Sequence, residues 1–185
     1  MHAPKYISHQ FSGPDEQSRY AYDLNAFPQR ESGTLLDTMF YFWNALRGNG
    51  ASVPLSSQYE PRIIFGEQLP DLLSFVDARA DNPENFVMID HPKSSLDPFG
   101  SQLSGKTLGE FPNRLHRDAL LLEYQICKRT QRPFYHEIDQ IIGGISRHYV
   151  RLILPLVDFT GTISKFSVVT RRVSPTFRMF QTVEQ

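Results

Sequence analysis

Residues 134–173 read FYHEIDQIIGGISRHYVRLILPLVDFTGTISKFSVVTRRV, and this stretch decides the fold. From Phe134 to Ile142 successive residues alternate between an apolar-rich face and a polar face, which is the pattern of a half-buried strand. Gly143 and Gly144 then interrupt the pattern, and two further apolar runs follow before the stretch ends. The stretch therefore predicts three consecutive antiparallel strands.

The register of the first two strands follows from their apolar faces, since a slip of one residue would turn an apolar row towards water. Matching the rows predicts three opposed pairs, namely Ile138 with Val150, His136 with Leu152, and Gln140 with His148. This register requires a three-residue loop at 143–145 in place of a two-residue turn. The two histidines and the glutamine would then lie on the covered face, where buried polar groups must bind one another or a ligand.

Composition limits the classes of protein that fit. The 185 residues are 40% hydrophobic, which is enough for one domain with a sizeable core, and we expect it to span residues 34–173 before a tail at 174–185. The 19 Lys and Arg balance 20 Asp and Glu, so nucleic acid is a disfavoured partner. Cys127 is the only cysteine and no apolar run approaches membrane-spanning length. These features predict a cytoplasmic protein without membrane insertion.

The first 33 residues lack periodicity, so they predict an extended or partly disordered arm. Thr34 and Asp37 then resemble a capping box, and apolar residues recur at helical spacing until Gly48. The apolar stripe of this helix has two interpretations, packing on its own domain, which is the commoner case, or a homodimer seam. The candidate seam residues are Leu36, Met39, Phe40 and Trp43.

The middle of the chain predicts two strands and a crossover. Residues 72–79 and 86–90 are short apolar runs separated by a turn, and residues 91–112 are rich in Ser, Gly and Pro. Asn113 can cap a helix that ends before Pro133. The predicted order is two strands, a loop and helix, and three strands.

Residues 100–107 read GSQLSGKT, which matches the phosphate-binding loop of nucleotide-binding enzymes. Such a loop needs a buried strand before it and a helix that begins at the Lys and Thr, here Lys106 and Thr107. The surrounding residues predict neither element, because residues 93–99 do not have the pattern of a buried strand and Pro112 leaves little room for a helix after Thr107. A chance match is therefore favoured, and a nucleotide-binding enzyme that uses residues 100–107 is kept as the alternative function.

The histidines are the other candidates for chemistry. His116 falls near the start of the crossover helix at the rim of its apolar face, which makes it a weak candidate to bind a cofactor such as haem. No spacing of His or Cys residues supports a metal site, and no haem or flavin motif identifies a cofactor. No catalytic constellation is visible, so we do not expect an enzyme. Strand alternation predicts a ligand pocket lined by His136, Gln140, His148, Val150, Leu152 and Phe166.

Several segments resemble a known family when taken in order. They are FWNALR at 42–47, YEPRI at 59–63, LP at 69–70, FG at 99–100, LSGK at 103–106, RPFYH at 132–136 and YVRLILPL at 149–156. Together with the predicted element order, they resemble the PAS domain family, and in particular the stand-alone single-domain PAS proteins of alphaproteobacteria. One departure is VMIDH at 87–91, where similar proteins tend to read Arg-Leu-x-Gly.

The resemblance implies a fold and a role. The fold would be α+β, with a PAS-like five-stranded antiparallel sheet, flanking helices and an N-terminal helical extension. The role would be that of a non-catalytic sensor or adaptor in bacterial signal transduction. Since no output segment follows Val173 in this sequence, signalling would pass through a homodimer or through a partner such as a histidine kinase or cyclase. A structural dimerisation module without a ligand is the remaining alternative.

Overall fold

Over the residues that the structure describes, the protein is α+β, with an antiparallel sheet of seven strands and helices on both of its faces. The computed structural model describes residues 6–47, 52–66, 73–91 and 103–173. The strands lie side by side in the order β1-β2-β5-β6-β7-β3-β4. The elements are β1 (Tyr6–Ser12), β2 (Asp15–Tyr22), α1 (Phe27–Glu31), α2 (Leu35–Leu46), α3 (Pro61–Phe65), β3 (Leu73–Asp77), β4 (Val87–Asp90), α4 (Arg114–Thr130), β5 (Phe134–Ile142), β6 (Ile145–Val157) and β7 (Ile163–Arg172).

Both predicted helices are confirmed, and their ends follow from local chemistry. The Thr34 hydroxyl accepts a hydrogen bond from the Asp37 amide at 3.3 Å, which starts α2. The Asn113 side chain accepts one from the His116 amide at 2.8 Å and starts α4. Helix α4 stops where Gln131 adopts a left-handed conformation with φ of 53°. The later strands also have the predicted order, from β3 and β4 through α4 to β5, β6 and β7.

The number of strands differs from the prediction, because residues 6–22 form a hairpin where we expected an arm. Strand β2 pairs along its length with β5, so the hairpin extends the five expected strands to seven. The inward positions of β2 include Gln17 and Arg19, which are buried. Hydrophobic periodicity could not identify this strand, because polar side chains occupy positions that normally carry apolar ones.

The predicted register between β5 and β6 is wrong by one residue. Gly143 and Gly144 form a two-residue turn, and Ile142 pairs directly with Ile145. The φ angles of the two glycines, 59° and 74°, are the positive values that a tight hairpin turn of this kind requires. The observed pairs are Glu137 with Val150, Tyr135 with Leu152, His136 with Arg151, and Asp139 with His148.

The error arose because β6 is buried on both of its faces from Tyr149 to Val157. The prediction assumed that Tyr149 and Arg151 face water, and therefore used only one face to set the register. In the structure these two side chains are buried at 3% and 5% exposure. A strand with two covered faces carries no solvent side from which the register can be set.

Two apolar cores lie on opposite faces of the sheet. The core on the α4 face combines α4 residues such as Leu120 and Tyr124 with Ile153 and Phe166 of the sheet. The core on the α2 face combines Leu36, Met39 and Trp43 of α2 with alternate residues of β6. The Trp43 Nε1 atom also donates a hydrogen bond to the Pro155 carbonyl of β6 at 2.7 Å.

The α2 core bears on the candidate dimer seam. Leu36 and Met39 have no exposed surface and Trp43 has 2%, so all three pack against the sheet of their own chain. Phe40 is half-buried and lies 4.8 Å from the Phe27 ring, measured between ring centroids. The apolar stripe is thus already covered, which is the commoner of the two interpretations of the sequence. Among the described residues, no helix is long and apolar enough to cross a membrane.

Candidate functional site

The α4 face of β2, β5 and β6 carries buried polar side chains where a sheet covered by a helix normally carries apolar ones. Backbone pairing places Arg19 and Tyr149 on either side of Ile138, and places His136 opposite Arg151. Helix α4 contributes a buried carboxylate from its middle. We call this set the α4-face cluster; its members are Gln17, Arg19, Glu123, His136, Gln140, Tyr149 and Arg151.

Glu123 lies at the centre of the α4-face cluster. Its Oε1 atom accepts a hydrogen bond from Arg19 Nη1. Its Oε2 atom lies 3.4 Å from His136 Nε2 and 3.9 Å from Arg151 Nη2. These distances allow electrostatic attraction, but neither contact has the geometry of a hydrogen bond. One carboxylate therefore serves two guanidinium groups and makes a hydrogen bond with only one of them.

Hydrogen bonds between polar side chains continue from both arginines. Arg19 Nη2 donates to Gln17 Oε1 at 2.9 Å. Arg151 Nη2 donates to the Tyr149 hydroxyl at 3.4 Å, and that hydroxyl donates to Gln140 Oε1 at 3.2 Å. The α4-face cluster thus joins three neighbouring strands to α4, and movement of α4 would alter contacts on all three.

Several buried atoms of the α4-face cluster have no hydrogen-bond partner in the described part of the chain. They are Arg19 Nε, Arg151 Nε, Gln140 Nε2, both ring nitrogens of His136, and Glu123 Oε2. A buried polar group without a partner costs about 1–3 kcal/mol, and few such groups occur in a native protein. Their concentration at one place indicates a site that ordered water or a polar ligand completes.

The ionisation states leave the α4-face cluster with a net positive charge. Burial lowers the pKa of His136 to about 3, even though Glu123 raises it, so the imidazole is neutral near pH 7. Burial disfavours the Glu123 carboxylate, but the positive charges led by Arg19 hold its pKa at about 2. Arginine remains protonated in proteins. Two positive charges and one negative charge are thus buried together, with side-chain exposures of 6% for each of the three residues.

His116, the weak cofactor candidate, lies at the edge of the α4-face cluster. It is half-buried, and its Nδ1 atom has no partner among the described residues. Burial, together with the charges of Arg151 and Arg19, lowers its pKa well below the usual value. A neutral imidazole can bind a metal, but the described residues contain no group of three His, Cys, Asp or Glu side chains that could hold one.

The six candidate pocket residues do not line one pocket. His136, Gln140 and Phe166 lie on the α4 face, where the Phe166 ring stacks at 5.2 Å on Tyr124. Val150 and Leu152 lie in the α2 core, on the other side of the sheet. His148 also lies on that side, and its Nε2 is 2.7 Å from Glu137 Oε1. The error of one residue in register accounts for this division.

Sequence reasoning missed the charged members of the α4-face cluster. Arg151 stands within the apolar run YVRLILPL, and this position could have been the signal, because a charge inside a doubly buried strand must have a buried partner. Glu123 and Arg19 gave no comparable signal. Their hydrogen bond joins positions 104 residues apart, and the sequence contains nothing that pairs them.

A second polar cluster lies on the α2 face and binds α1 to the sheet. Glu31 accepts hydrogen bonds from Tyr135 at 2.6 Å and from Arg171 at 2.9–3.1 Å. Glu137 accepts from Arg30 at 2.5 Å and from Tyr22 at 3.0 Å. We call this set the α1 network; its members are Tyr22, Arg30, Glu31, Tyr135, Glu137, His148 and Arg171. Within the described residues, none of these side chains has a buried atom without a partner.

The region that matches the phosphate-binding loop has a different geometry from a nucleotide site. The Lys106 carbonyl accepts a hydrogen bond from Met88 of β4, and the next helical element is the 3₁₀ turn Leu108–Glu110. The amide and hydroxyl of Thr107 donate to the Glu110 carboxylate at 2.7 and 2.8 Å. A protein carboxylate thus occupies the donors that would face a phosphate. Residues 100–102 of the match lie outside the described residues.

The chain was compared with protein families, curated proteins and solved structures. No protein-family profile matches the chain, and no curated protein is significantly similar to it. Among solved structures, the PAS domain from Bordetella pertussis BvgS shares 23% sequence identity with the chain. The likeness covers 56% of this chain and 76% of that domain, with a TM-score of 0.37, which is too low to establish a shared fold or function.

Proposed function

We propose that this chain is a non-catalytic, PAS-like sensor or adaptor domain of bacterial signal transduction that holds a small polar ligand beneath α4. The observation that carries the proposal is the concentration of unpartnered polar atoms in the α4-face cluster. Arg19, Arg151 and His136 are at most 6% exposed, so bulk solvent does not satisfy them. A small molecule that offers hydrogen bonds to these side chains would replace the solvation that they lose on folding.

The ligand signal would pass from one face of the sheet to the other through β6. Arg151 lies on the α4 face, while Val150 and Leu152 on either side of it lie in the α2 core. Pro155 of the same strand accepts the hydrogen bond from Trp43 of α2. A ligand that prefers one position of β6 would shift the population of α2 positions. A homodimer, or a partner such as a histidine kinase or cyclase, would respond to that shift.

The first experiment is native mass spectrometry of the purified protein, recorded together with its visible absorption spectrum. We expect excess mass for each chain, with a Soret or flavin band only if the ligand is a chromophore. The excess mass should be lost in His136→Ala, which changes the α4-face cluster. It should persist in His148→Ala, because His148 bonds to Glu137 on the opposite face. Excess mass that survives in His136→Ala would contradict the proposed site.

A bare mass in all three proteins, with the wild type insensitive to added ligands, would favour a dimerisation module without a ligand.

The nucleotide-binding alternative makes a different prediction. If Lys106 and Thr107 bind phosphate, calorimetric titration with ATP should show binding that Lys106→Ala abolishes. We expect no binding in either protein, because Thr107 is already bonded to Glu110.

A further inference from the structure

We infer that the ligand beneath α4 is a small carboxylate anion, bound by Arg19 and Arg151 in competition with Glu123. This inference rests on the proposed function, and it adds the chemical class of the ligand and the residues that select it. It follows from the charges, the unpartnered atoms and the arrangement of the buried carboxylate.

The charge balance selects an anion. Two guanidinium groups face one carboxylate in the α4-face cluster, and all three side chains are 6% exposed. A buried charge without a counter-ion costs several kcal/mol, so one further negative charge would be stabilised there. The α1 network shows that this chain can balance charges, because Arg30 and Arg171 face Glu31 and Glu137. A cationic ligand would add to the existing excess of positive charge.

The unpartnered atoms select an acceptor with more than one oxygen. Within the described ranges three donors lack partners, and they come from the neighbouring strands β2, β5 and β6: Arg19 Nε, Gln140 Nε2 and Arg151 Nε. A carboxylate has two oxygens with about four acceptor sites, and it matches guanidinium groups through paired hydrogen bonds. An apolar ligand would leave these donors without partners.

Glu123 is the internal competitor of the incoming anion. Its Oε1 atom bonds to Arg19, whereas its Oε2 atom lies 3.9 Å from Arg151 without forming a hydrogen bond. Arg151 is therefore the arginine that Glu123 holds more weakly, and it is the side chain that an anion can engage first. Neutralising Glu123 would remove the competing charge and strengthen the binding of the anion.

The test measures thermal unfolding during titration with sodium acetate. Sodium chloride at equal concentration controls for ionic strength, and acetamide is the uncharged molecule of the same shape. We expect acetate to raise the unfolding midpoint by about 3–6 °C at ten times its dissociation constant, and the rise should grow with the logarithm of the acetate concentration above that constant. Acetamide should give no such rise.

Three variants test the residues that the inference names. Arg151→Met should lose the acetate response, while Arg171→Met, which changes the α1 network, should keep it. Glu123→Gln should bind acetate at least about tenfold more tightly. If Arg151→Met does not fold, the double variant Glu123→Gln with Arg151→Met removes one charge of each sign, and it should fold without responding to acetate.

The outcomes separate this inference from the proposed function. If acetamide and acetate bind equally and Arg151→Met loses both responses, the ligand site stands and the anionic class is wrong. If neither molecule binds to the wild type or to Glu123→Gln, and native mass spectrometry shows the bare mass, both proposals fail. An acetate response that persists in Arg151→Met would place the anion elsewhere and overturn the inference.

Discussion

The α4-face cluster and the α1 network lie on opposite faces of the same strands, and they handle buried charge in opposite ways. The α1 network pairs two arginines with two glutamates, although three of these four side chains are 19–33% exposed. The α4-face cluster has one carboxylate for two arginines, although none of the three is more than 6% exposed. The cluster whose charges are less completely paired is thus the more deeply buried one, where an unpaired charge costs more free energy.

This difference separates a structural cluster from a candidate functional one. If stability alone determined the two sets, the drier one would have the more complete pairing. The α1 network is the more exposed of the two and is nevertheless fully paired, and its contacts hold α1 against the sheet. The α4-face cluster violates that expectation, and such violations are expected where a site binds something that the chain does not itself supply.

The largest predicted effect comes from removing the shared carboxylate. Glu123→Gln leaves Arg19 and Arg151 buried without a counter-charge, so we expect the free energy of unfolding to fall by about 3–5 kcal/mol. Urea unfolding at pH 7 measures the change. A loss below about 1 kcal/mol would mean that water already solvates the two guanidinium groups, and the contrast between the clusters would disappear.

Lowering the pH should reduce the free energy of unfolding through the ionisable residues of the α4-face cluster. The folded pKa of His136, about 3, lies below the usual value of about 6.5, so the unfolded chain takes up the proton first as the pH falls. Stability is therefore fully present above pH 6.5 and declines towards pH 3, by about 1.4 kcal/mol per pH unit for this histidine. Urea unfolding of wild type and His136→Gln between pH 7 and 4.5 checks the sign and slope. Equal slopes in the two proteins would contradict the buried, neutral His136.

Glu123 adds to the acid sensitivity at lower pH. Its folded pKa, about 2, lies below the usual carboxyl value of about 4.3, so its contribution is lost as the pH falls from that value towards 2. The two residues therefore lower stability in the same direction over overlapping ranges of pH.

A smaller effect is expected from the matching change in the α1 network. Arg171→Met leaves Glu31 with hydrogen bonds from Tyr135 and Thr34 but removes its charged partner. Because Arg171 is 33% exposed, we expect a loss of about 1–2 kcal/mol. Urea unfolding of Arg171→Met and of Glu123→Gln under the same conditions compares the two losses of unfolding free energy. An equal or larger loss than in Glu123→Gln would reverse the ranking of the two clusters.

The smallest effect should come from Tyr22→Phe, which removes one hydroxyl from the α1 network. Glu137 keeps its contacts with Arg30 and His148, so we expect a loss of about 0.5–1.5 kcal/mol. Urea unfolding with Tyr20→Phe as a neighbouring control measures it. A loss much larger than this would show that the α1 network acts as one cooperative unit.

Hydrophobic periodicity predicted the helices α2 and α4 and the strands β3 to β7, because each places apolar residues at a regular spacing. It did not predict β1 and β2, whose inward positions include Gln17 and Arg19. It also assigned Arg151 to solvent, because one alternating face was assumed to be exposed. The candidate site consists largely of the residues that depart from the apolar pattern. His136 and Gln140 were identified from strand alternation, whereas Glu123 and Arg19 are joined only by the tertiary fold.

The pairing of β2 with β5 has a consequence for how the protein folds. Glu16 of β2 pairs with Ile141 of β5, so the β1–β2 hairpin can join the sheet only after most of the chain has been synthesised. Long-range strand pairing of this kind folds slowly, because a large loop must close before any contact forms. We therefore expect the N-terminal hairpin to dock late, and the α4-face cluster to be incomplete in any nascent chain that ends before Arg151.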